Sequence, residues 1–490
     1  MKRLKKSFFF FFALIFVVWV LTIIFALKHP LGEKEESDFN FATDDTILEL
    51  DISGYGIYVN NEKIGYSISR EKKTESGIRI SETSFINISA YGTSQEITTY
   101  TVSEADKDLN LKSFYFELVS GKHTVRTKGV IKNDSIFLTT ETSGGKKNTV
   151  FTLGDKPFVP ASLERVAQEL KLKEDTVYNY SIFEPTSGEI VDIEIWKGGE
   201  ESIEMNGKHY TTDVVIVQML GFESQLYFDK DGKLLMESSP MGITMKREPL
   251  EEIANFAKGT TGLKIFETYA IYPEGTINNP RKSHHLIAEL QGVAPGYKFQ
   301  NDERQRYVNG TVTIDVLVPA SNFSIEDIDK SKFTPFLEST NFIPCDDKEI
   351  INLAKEITGS SEATWEGVEA ITDWLYRNIR KSPTFSIPYA KEVIKTRVGD
   401  CNEHAVLFCS LTRAIGIPTK VVVGIVYVDG AFYYHAWNEV YWGRWVACDP
   451  VFGQHLADAT HIKLEEGTLL DFINVVKLVG QLHIKIIRSS

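Results

Sequence analysis

Gly399-Asp400-Cys401-Asn402-Glu403-His404-Ala405 decides how the second half of this 490-residue chain is read. Asp400 followed three residues later by Glu403 is a capping-box pattern that starts a helix at Cys401, with Val406, Phe408, Leu411, Ala414 and Ile415 among its apolar positions. Gly416 and Pro418 end it. A thiol at the first helical position lies among unpaired backbone N–H groups at the positive end of the helix dipole. Its thiolate is favoured there, and its pKa is expected below the free value of about 8.5. Cys409, about two turns along the same helix, reads as a small buried hydrophobe.

Beyond Pro418, Thr419 to Val428 is rich in β-formers and Asp429-Gly430 is a two-residue hairpin signal, so Ala431 to Tyr441 returns as the partner strand. Trp442-Gly443 turns the chain again into a third strand, Arg444 to Cys448, that ends at Asp449-Pro450. Alternation puts His435, Trp437, Glu439 and Tyr441 on one face, and Trp445, Ala447 and Asp449 on one face of the next strand. With the turn centred on Trp442, His435 and Asp449 are expected to face each other at hydrogen-bonding range. The carboxylate would fix the tautomer that lets the other ring nitrogen take a proton from a thiol. Cys401 is thus the expected nucleophile, His435 the base and Asp449 the orienting acid. A helix-terminal cysteine followed by a histidine and an aspartate on paired strands is far more specific than any of the three alone.

These residues, with Arg413-Ala414-Ile415-Gly416-Ile417-Pro418, His435-Ala436-Trp437, Glu439-Val440 and Trp445 through Asp449-Pro450, resemble the transglutaminase-like superfamily in its bacterial membrane-anchored branch. The resemblance covers roughly Phe342 to Leu464. It implies a papain-like α+β core and the same three roles for Cys401, His435 and Asp449. Two departures stand out. Animal crosslinking enzymes usually carry an aromatic residue where this chain has Asn402, and their calcium-site regions have no recognisable counterpart here. The implied chemistry is thiol acyl transfer on a peptide, isopeptide or amide, released to water (peptidase or amidase) or to an amine (transglutaminase). The backbone N–H of Cys401 is a candidate oxyanion donor, with Asn402 beside it.

Upstream of this unit, Asp346 or Asp347 can cap a helix carrying Ile350, Ala354 and Ile357 and closed by Gly359. Ser361 opens another, whose stripe of Trp365, Val368, Ile371, Leu375 and Ile379 reads as core packing. Residues 249–334 read as a connector helix, Pro249 to Ala257, and a smaller β unit. Residues 46–248 read as an antiparallel meander forming one large twisted sheet, closed or half-closed. It is punctuated by turn signals such as Asn60-Asn61 and Asp231-Gly232 and interrupted by one helix at Ala161 to Leu172. Leu469 to Leu478 reads as a terminal helix and His483 to Arg488 as a last strand.

Ser7 to Leu27 is uncharged and apolar, long enough at 1.5 Å per residue to span about 30 Å of hydrocarbon. Lys2, Arg3, Lys5 and Lys6 precede it, so the N-terminus is expected in the cytoplasm and all that follows outside it, periplasmic or extracytoplasmic. The run exceeds the usual signal-peptide core and lacks a small-x-small site, which favours an uncleaved signal anchor over a cleaved signal. Residues 31–45 read as a solvated tether. The fold class expected overall is α+β: a transmembrane helix, antiparallel β-sheet domains, and a catalytic domain over 335–490. The expected partners are the lipid bilayer and a peptide, protein or amide substrate in the cell envelope.

A balance of 53 basic and 67 acidic side chains, net −14, has the wrong sign for tracking phosphates, which excludes a nucleic-acid partner. The four cysteines lack the spacing of a structural zinc site or a disulfide framework. A zinc site built from Cys401, His435 and Asp449, with His404, draws on the same residue types. Scattered over 49 positions, they fit a nucleophile–base–acid set as well, and no metal or cofactor is assigned. A catalytically silent binding module is the other reading. Cys448 is expected to pack in the core unless it pairs with Cys345.

Overall fold

A computed structural model describes residues 47–490 apart from 91–92, 122, 154–156, 158–171, 185–188, 206, 220, 240–241, 257–262, 265–268, 294–295, 341, 360–362, 383–387, 468–474 and 476–477. The expected membrane span at 7–27, its tether, nearly all of the helix at 161–172 and most of the terminal helix at 469–478 lie outside the described residues. No helix among the described residues is long and apolar enough to cross a membrane. The chain divides into two compact units, with the break between residues 265 and 266.

In the first unit, period-two burial such as that of His123–Lys132 marks strands with one face turned to a core. Fifteen strands among the described residues join one sheet. Two antiparallel meanders, from Ile47–Val59 to Gly145–Thr152 and from Tyr178–Glu184 to Ile243–Arg247, meet where Tyr55 pairs with Arg247 and Val59 with Ile243. The outer strands Gly145–Thr152 and Tyr178–Glu184 do not pair with each other among the described residues. Asn60 and Asn61, both at positive φ, make the two-residue turn that sets Val59 opposite Glu62. Asp229 Oδ1 accepts the N–H groups of Asp231 and Lys233 at 2.9 and 2.8 Å, closing the last hairpin signalled in the sequence. The connector helix spans Leu250–Phe256 and buries Ile253 against Tyr66 and Ile68.

In the second unit, Asp347 caps the helix Lys348–Thr358 and Gly359, at φ 69°, ends it. The next helix, Trp365–Asn378, begins four residues later than expected from Ser361. Its cap is Thr364, whose hydroxyl accepts the Gly367 N–H at 3.0 Å. Ile350, Val368, Ile371 and Leu375 are fully buried in one core with Leu407, Phe408 and Leu411 of the helix Cys401–Ala414. Each such side chain contributes roughly 1.5–3 kcal/mol of burial, so the stripe read in the sequence, with its spacings of three and four, is what clamps the Cys401 helix.

That helix lies on a four-stranded antiparallel sheet ordered Trp445–Cys448, Ala431–Tyr441, Thr419–Val428 and Ile462–Glu466. Asn438 Nδ2 donates to Ala405 O at 3.0 Å and ties strand to helix. The expected small β unit is a second four-stranded sheet. Its members are Gln305–Val308, Thr311–Asp315, His285–Gln291 and the terminal strand His483–Ser489, all within the same compact unit as the Cys401 helix.

Between the sheets, buried Lys463 donates to Glu439 Oε2 at 3.1 Å, to Glu466 Oε2 at 2.8 Å and to Asp302. Lys420 bridges Glu439 and Glu466 at 3.0 and 2.6 Å. Burial opposes the charge on Glu439, but Lys463 and Lys420 outweigh it and hold its pKa down at about 2. Lys463→Met removes one partner and leaves buried carboxylate charge, so it is expected to cost about 3 kcal/mol of unfolding free energy. Urea denaturation checks this, and adding Glu439→Gln should recover much of the loss through coupling of neighbouring sites.

Candidate active site

The capping box read in the sequence is present. Asp400 Oδ1 accepts the Asn402 N–H at 2.8 Å, and Glu403 Oε2 accepts the Asp400 N–H at 3.0 Å, so Cys401 is the first helical residue. Gly399 is required just before it, because a Cβ there would stand 2.4 Å from Glu403 Cβ and break the box. Cys401 is buried, and the backbone N–H of Ala436, next to His435, is directed at its thiol.

The sequence expectation of a lowered Cys401 pKa is overturned. Burial, the largest influence, pushes the thiol well above the ordinary cysteine value, and Asp400, Glu403 and Asp449 add to it against the Ala436 N–H. The helix end does not reverse this, because Asp400 already takes the Asn402 N–H at 2.8 Å and both capping carboxylates set negative charge beside the thiol. Cys409 is also pushed up, to about 11, by burial. Cys401 is therefore set apart from the other thiols by the Ala436 N–H directed at it from next to His435 and not by a low pKa. All four cysteines are buried and free, so Cys345 and Cys448 do not pair.

His435 Nε2 donates to Asp449 Oδ2 at 2.8 Å, leaving Nδ1 as the basic ring nitrogen. The register behind this contact differs from expectation. Tyr441 pairs with Trp445 and Asn438 with Cys448, so the turn is centred on Gly443 and not on Trp442. Asp449 thus follows the strand opposite Trp437 and reaches His435 along the diagonal of the same face. Gly424 pairs with His435 on the other side, where a Cβ would collide with Ile462 O at 2.0 Å and with the Trp437 ring at 2.7 Å.

Asp449 accepts four hydrogen bonds. Val451 and Phe452 N–H groups reach Oδ1 at 2.7 and 3.1 Å. His461 Nε2 joins His435 on Oδ2 at 3.0 Å. Burial opposes ionisation of Asp449, but His435 and His461 outweigh it and hold the carboxyl well below its usual range. Burial lowers the His435 pKa, with His461 and Arg281 acting in the same direction against Asp449.

His461, Asp458 and Arg281 were not singled out in the sequence. Arg281 Nη1 lies 2.9 Å from Asp458 Oδ2, and its guanidinium sits over the Phe452 ring at 4.2 Å. Arg304, just before the strand Gln305–Val308, donates to His461 O and Asp458 O at 2.8 and 2.9 Å, fixing the loop that carries His461. The only sequence signal was the clustering of Asp458 and His461 shortly after Asp449. Arg281 and Arg304 are too remote in sequence for spacing to reveal them.

Ligand atoms of His435, Asp449 and His461 lie within 4.8 Å of one another, as do those of Asp302, Glu439 and Glu466. The first set is joined by the hydrogen bonds above, and the second holds the ammonium groups of Lys463 and Lys420. Five buried polar atoms on the Cys401 helix and the His435 strand have no hydrogen-bond partner: Asn402 Nδ2, His404 Nε2, Trp437 Nε1, Asn438 Oδ1 and Glu439 Oε1. Such atoms are rare in folded proteins.

His404 Nδ1 donates to Asp400 O at 2.5 Å. Burial is the main cause that pulls its pKa down from 6.5 to about 4. Between those values the unfolded chain binds the proton more tightly than the folded one, so stability present above pH 6.5 is lost as pH falls. His404's share is about 2 kcal/mol between pH 7 and pH 5. His404→Gln is expected to flatten that part of the acid limb, read from urea midpoints at the two pH values.

Residues 351–450 match the family described as the transglutaminase-like superfamily. Among solved structures, the chain is similar to a candidate cysteine protease from Cytophaga hutchinsonii, with 20% identity and a TM-score of 0.28 over 41% of this chain and 83% of that one. It is also similar to a β-barrel-like domain-of-unknown-function protein from Brucella abortus, with 10% identity and a TM-score of 0.31 over 41% and 96% of the two chains. A candidate protease from Parabacteroides distasonis gives 12% identity and a TM-score of 0.18 over 66% and 63%. No curated protein sequence matches the chain. With the Cys401 helix, the His435 strand and Asp449 inside the matched stretch, residues 351–450 are a domain of the transglutaminase-like superfamily.

Proposed function

We propose that this chain is a thiol acyl-transfer enzyme, anchored in the membrane through residues 7–27, that acts on peptide, isopeptide or amide carbonyls outside the cytoplasm. The observation that carries the reading is the fourfold-bonded Asp449, which holds His435 by Nε2 on the strand whose Ala436 N–H meets the Cys401 thiol.

As Cys401 Sγ bonds the carbonyl carbon, its proton passes to His435 Nδ1 while Nε2–H stays on Asp449. The resulting oxyanion takes hydrogen bonds from the Cys401 backbone N–H and from Asn402 Nδ2, which has no other partner. His435 then gives its proton to the leaving amine as the C–N bond breaks, leaving a thioester. Water or a second amine attacks that thioester, passes its proton to His435, and Cys401 recovers it on departure. A resting neutral thiol and neutral imidazole, which the two pKa directions favour, suits this coupled transfer.

The membrane anchor rests on the uncharged run Ser7 to Leu27 behind Lys2, Arg3, Lys5 and Lys6. For the β region at 46–248 we propose a binding role toward the substrate or an envelope partner. The alternative, a catalytically silent binding module, draws on one observation, the upward push on the Cys401 thiol.

The test is incubation of the detergent-solubilised full chain with short peptides and a fluorescent primary amine, followed by mass spectrometry. Cleaved or deamidated peptides identify water as acceptor, and amine adducts identify a transferase. Both products must vanish in Cys401→Ala, and absence of either product from the wild-type chain together with an unreactive Cys401 would establish the silent module.

A further inference from the structure

We propose that His461 is a positioning residue of this site: it stands as an imidazolium between Asp449 and Asp458 and, through Asp449, keeps His435 neutral and available as a base. The inference rests on the assignment of His435 as the base, and it concerns a residue beyond the stretch matched to the family, which ends at 450.

The argument begins with hydrogen-bond chemistry. A neutral imidazole has one N–H and one lone pair, so one of its nitrogens must meet a donor or an apolar surface. His461 has no such side. Its Nε2 is 3.0 Å from Asp449 Oδ2, and its Nδ1 is 3.1 Å from the carbonyl oxygen of Asp458 and 3.4 Å from Asp458 Oδ1. All three are acceptors. The partners cannot supply the missing proton, because each carboxylate is occupied by donors of its own. Asp458 Oδ1 accepts the N–H and hydroxyl of Thr460 at 2.9 and 2.5 Å. Its Oδ2 accepts Gln454 Nε2 at 2.9 Å and faces Arg281 Nη1. Only a doubly protonated ring satisfies these contacts.

Charge balance leads to the same state. Asp449, Asp458, His461 and His435 are buried and Arg281, at 32% side-chain exposure, closes one side; these charges sum to zero with His461 a cation and His435 neutral. A neutral His461 would leave Asp449 and Asp458 without their fully buried cationic partner, which favours a proton on His435 and removes the base. Burial lowers the proton affinity of His461, but Asp458 and Asp449 overcome it and raise its pKa. The groups facing the pair from other elements are Arg281, which lowers the affinity of His435, and Lys381, Cys401 and His404, which interact with Asp449. The rings also pack together: Trp437 and Phe452 stand edge-on to His461 at 5.2 and 5.8 Å, which holds its orientation.

The experiment is ring nitrogen and carbon NMR of the full chain in detergent, labelled at histidine, with His435 and His461 assigned through their glutamine variants. In the wild-type protein, His461 should carry hydrogen on both ring nitrogens at neutral pH while His435 carries one. His461→Gln keeps a donor toward Asp449 and removes the charge. The His435 titration midpoint should then rise by about one pH unit. The acid limb of Cys401 alkylation by iodoacetamide should move with it. A purely structural role would lower the alkylation rate without moving either midpoint. A singly protonated His461 in the wild type overturns the proposal without any variant, as does an unmoved His435 midpoint in folded His461→Gln. Failure of the underlying reading looks different: Cys401 alkylation indifferent to His435→Ala, with His461 still a cation.

Discussion

Asp449→Ala is expected to destabilise the second unit by about 3–5 kcal/mol and to abolish the His435-dependent reactivity of Cys401. The size follows from what the carboxylate holds. It accepts His435, His461 and two backbone N–H groups, and His461 would be left as a buried cation with one partner fewer. Asp449→Asn keeps the volume and some of the hydrogen bonds, so its stability loss should be smaller. Its kinetic loss should remain on the order of 10²- to 10⁴-fold, because an amide cannot hold both imidazoles by a charged oxygen and His435 loses its enforced tautomer. The stability term carries a sign in pH. Because the folded state holds Asp449 well below its usual range, its stabilisation is present above the ordinary carboxylate value of 3.8 and is lost as pH falls. Urea unfolding at neutral pH and again near pH 3, below the ordinary carboxylate value, should therefore show a smaller gap between wild type and Asp449→Ala at the lower pH.

The second large effect is kinetic. His435→Ala should slow alkylation of Cys401 at neutral pH by about 10²- to 10⁴-fold, the usual worth of a general base. The thiol does not ionise readily by itself here, since burial and the capping carboxylates push its pKa up. On the proposed reading, its reactivity near pH 7 comes from proton transfer to His435. Cys409, buried, pushed up to about 11 and with its thiol donating to Thr419 O at 3.4 Å, should stay unreactive in both proteins and serves as the internal reference.

Much of this site was legible because its determinants are short-range. The capping box, the hairpin at Asp429-Gly430 and the alternation along Ala431–Tyr441 each depend on residues within a few positions of one another. The His435–Asp449 contact survived an error of register for a physical reason: moving the turn centre from Trp442 to Gly443 keeps both residues on one face. The Cys401 pKa was misjudged because sequence reveals a helix end and its capping box but not the burial of the thiol, nor the negative charge of Asp449 brought near it by the fold. His461 and its supports were invisible because they are assembled from Arg281, Arg304 and the loop after Asp449, which only the tertiary fold brings together. The large sheet was readable as a meander from its turn residues. The junction of its two halves at Tyr55 and Arg247 was not, since pairing 192 positions apart leaves no local mark.

The most direct test of the central claim, that Cys401 and His435 form a nucleophile–base pair, is the pH dependence of Cys401 alkylation by iodoacetamide. It is measured on the full chain in detergent, with wild type beside His435→Ala and peptide mass spectrometry to separate the four thiols. The wild-type rate should rise through an acid limb below pH 6.5, where His435 loses its proton, and hold across neutral pH. In His435→Ala that limb should vanish, and reaction should wait for the thiol's own ionisation on the alkaline side of about 8.5. Superimposable profiles for the two proteins would contradict the account.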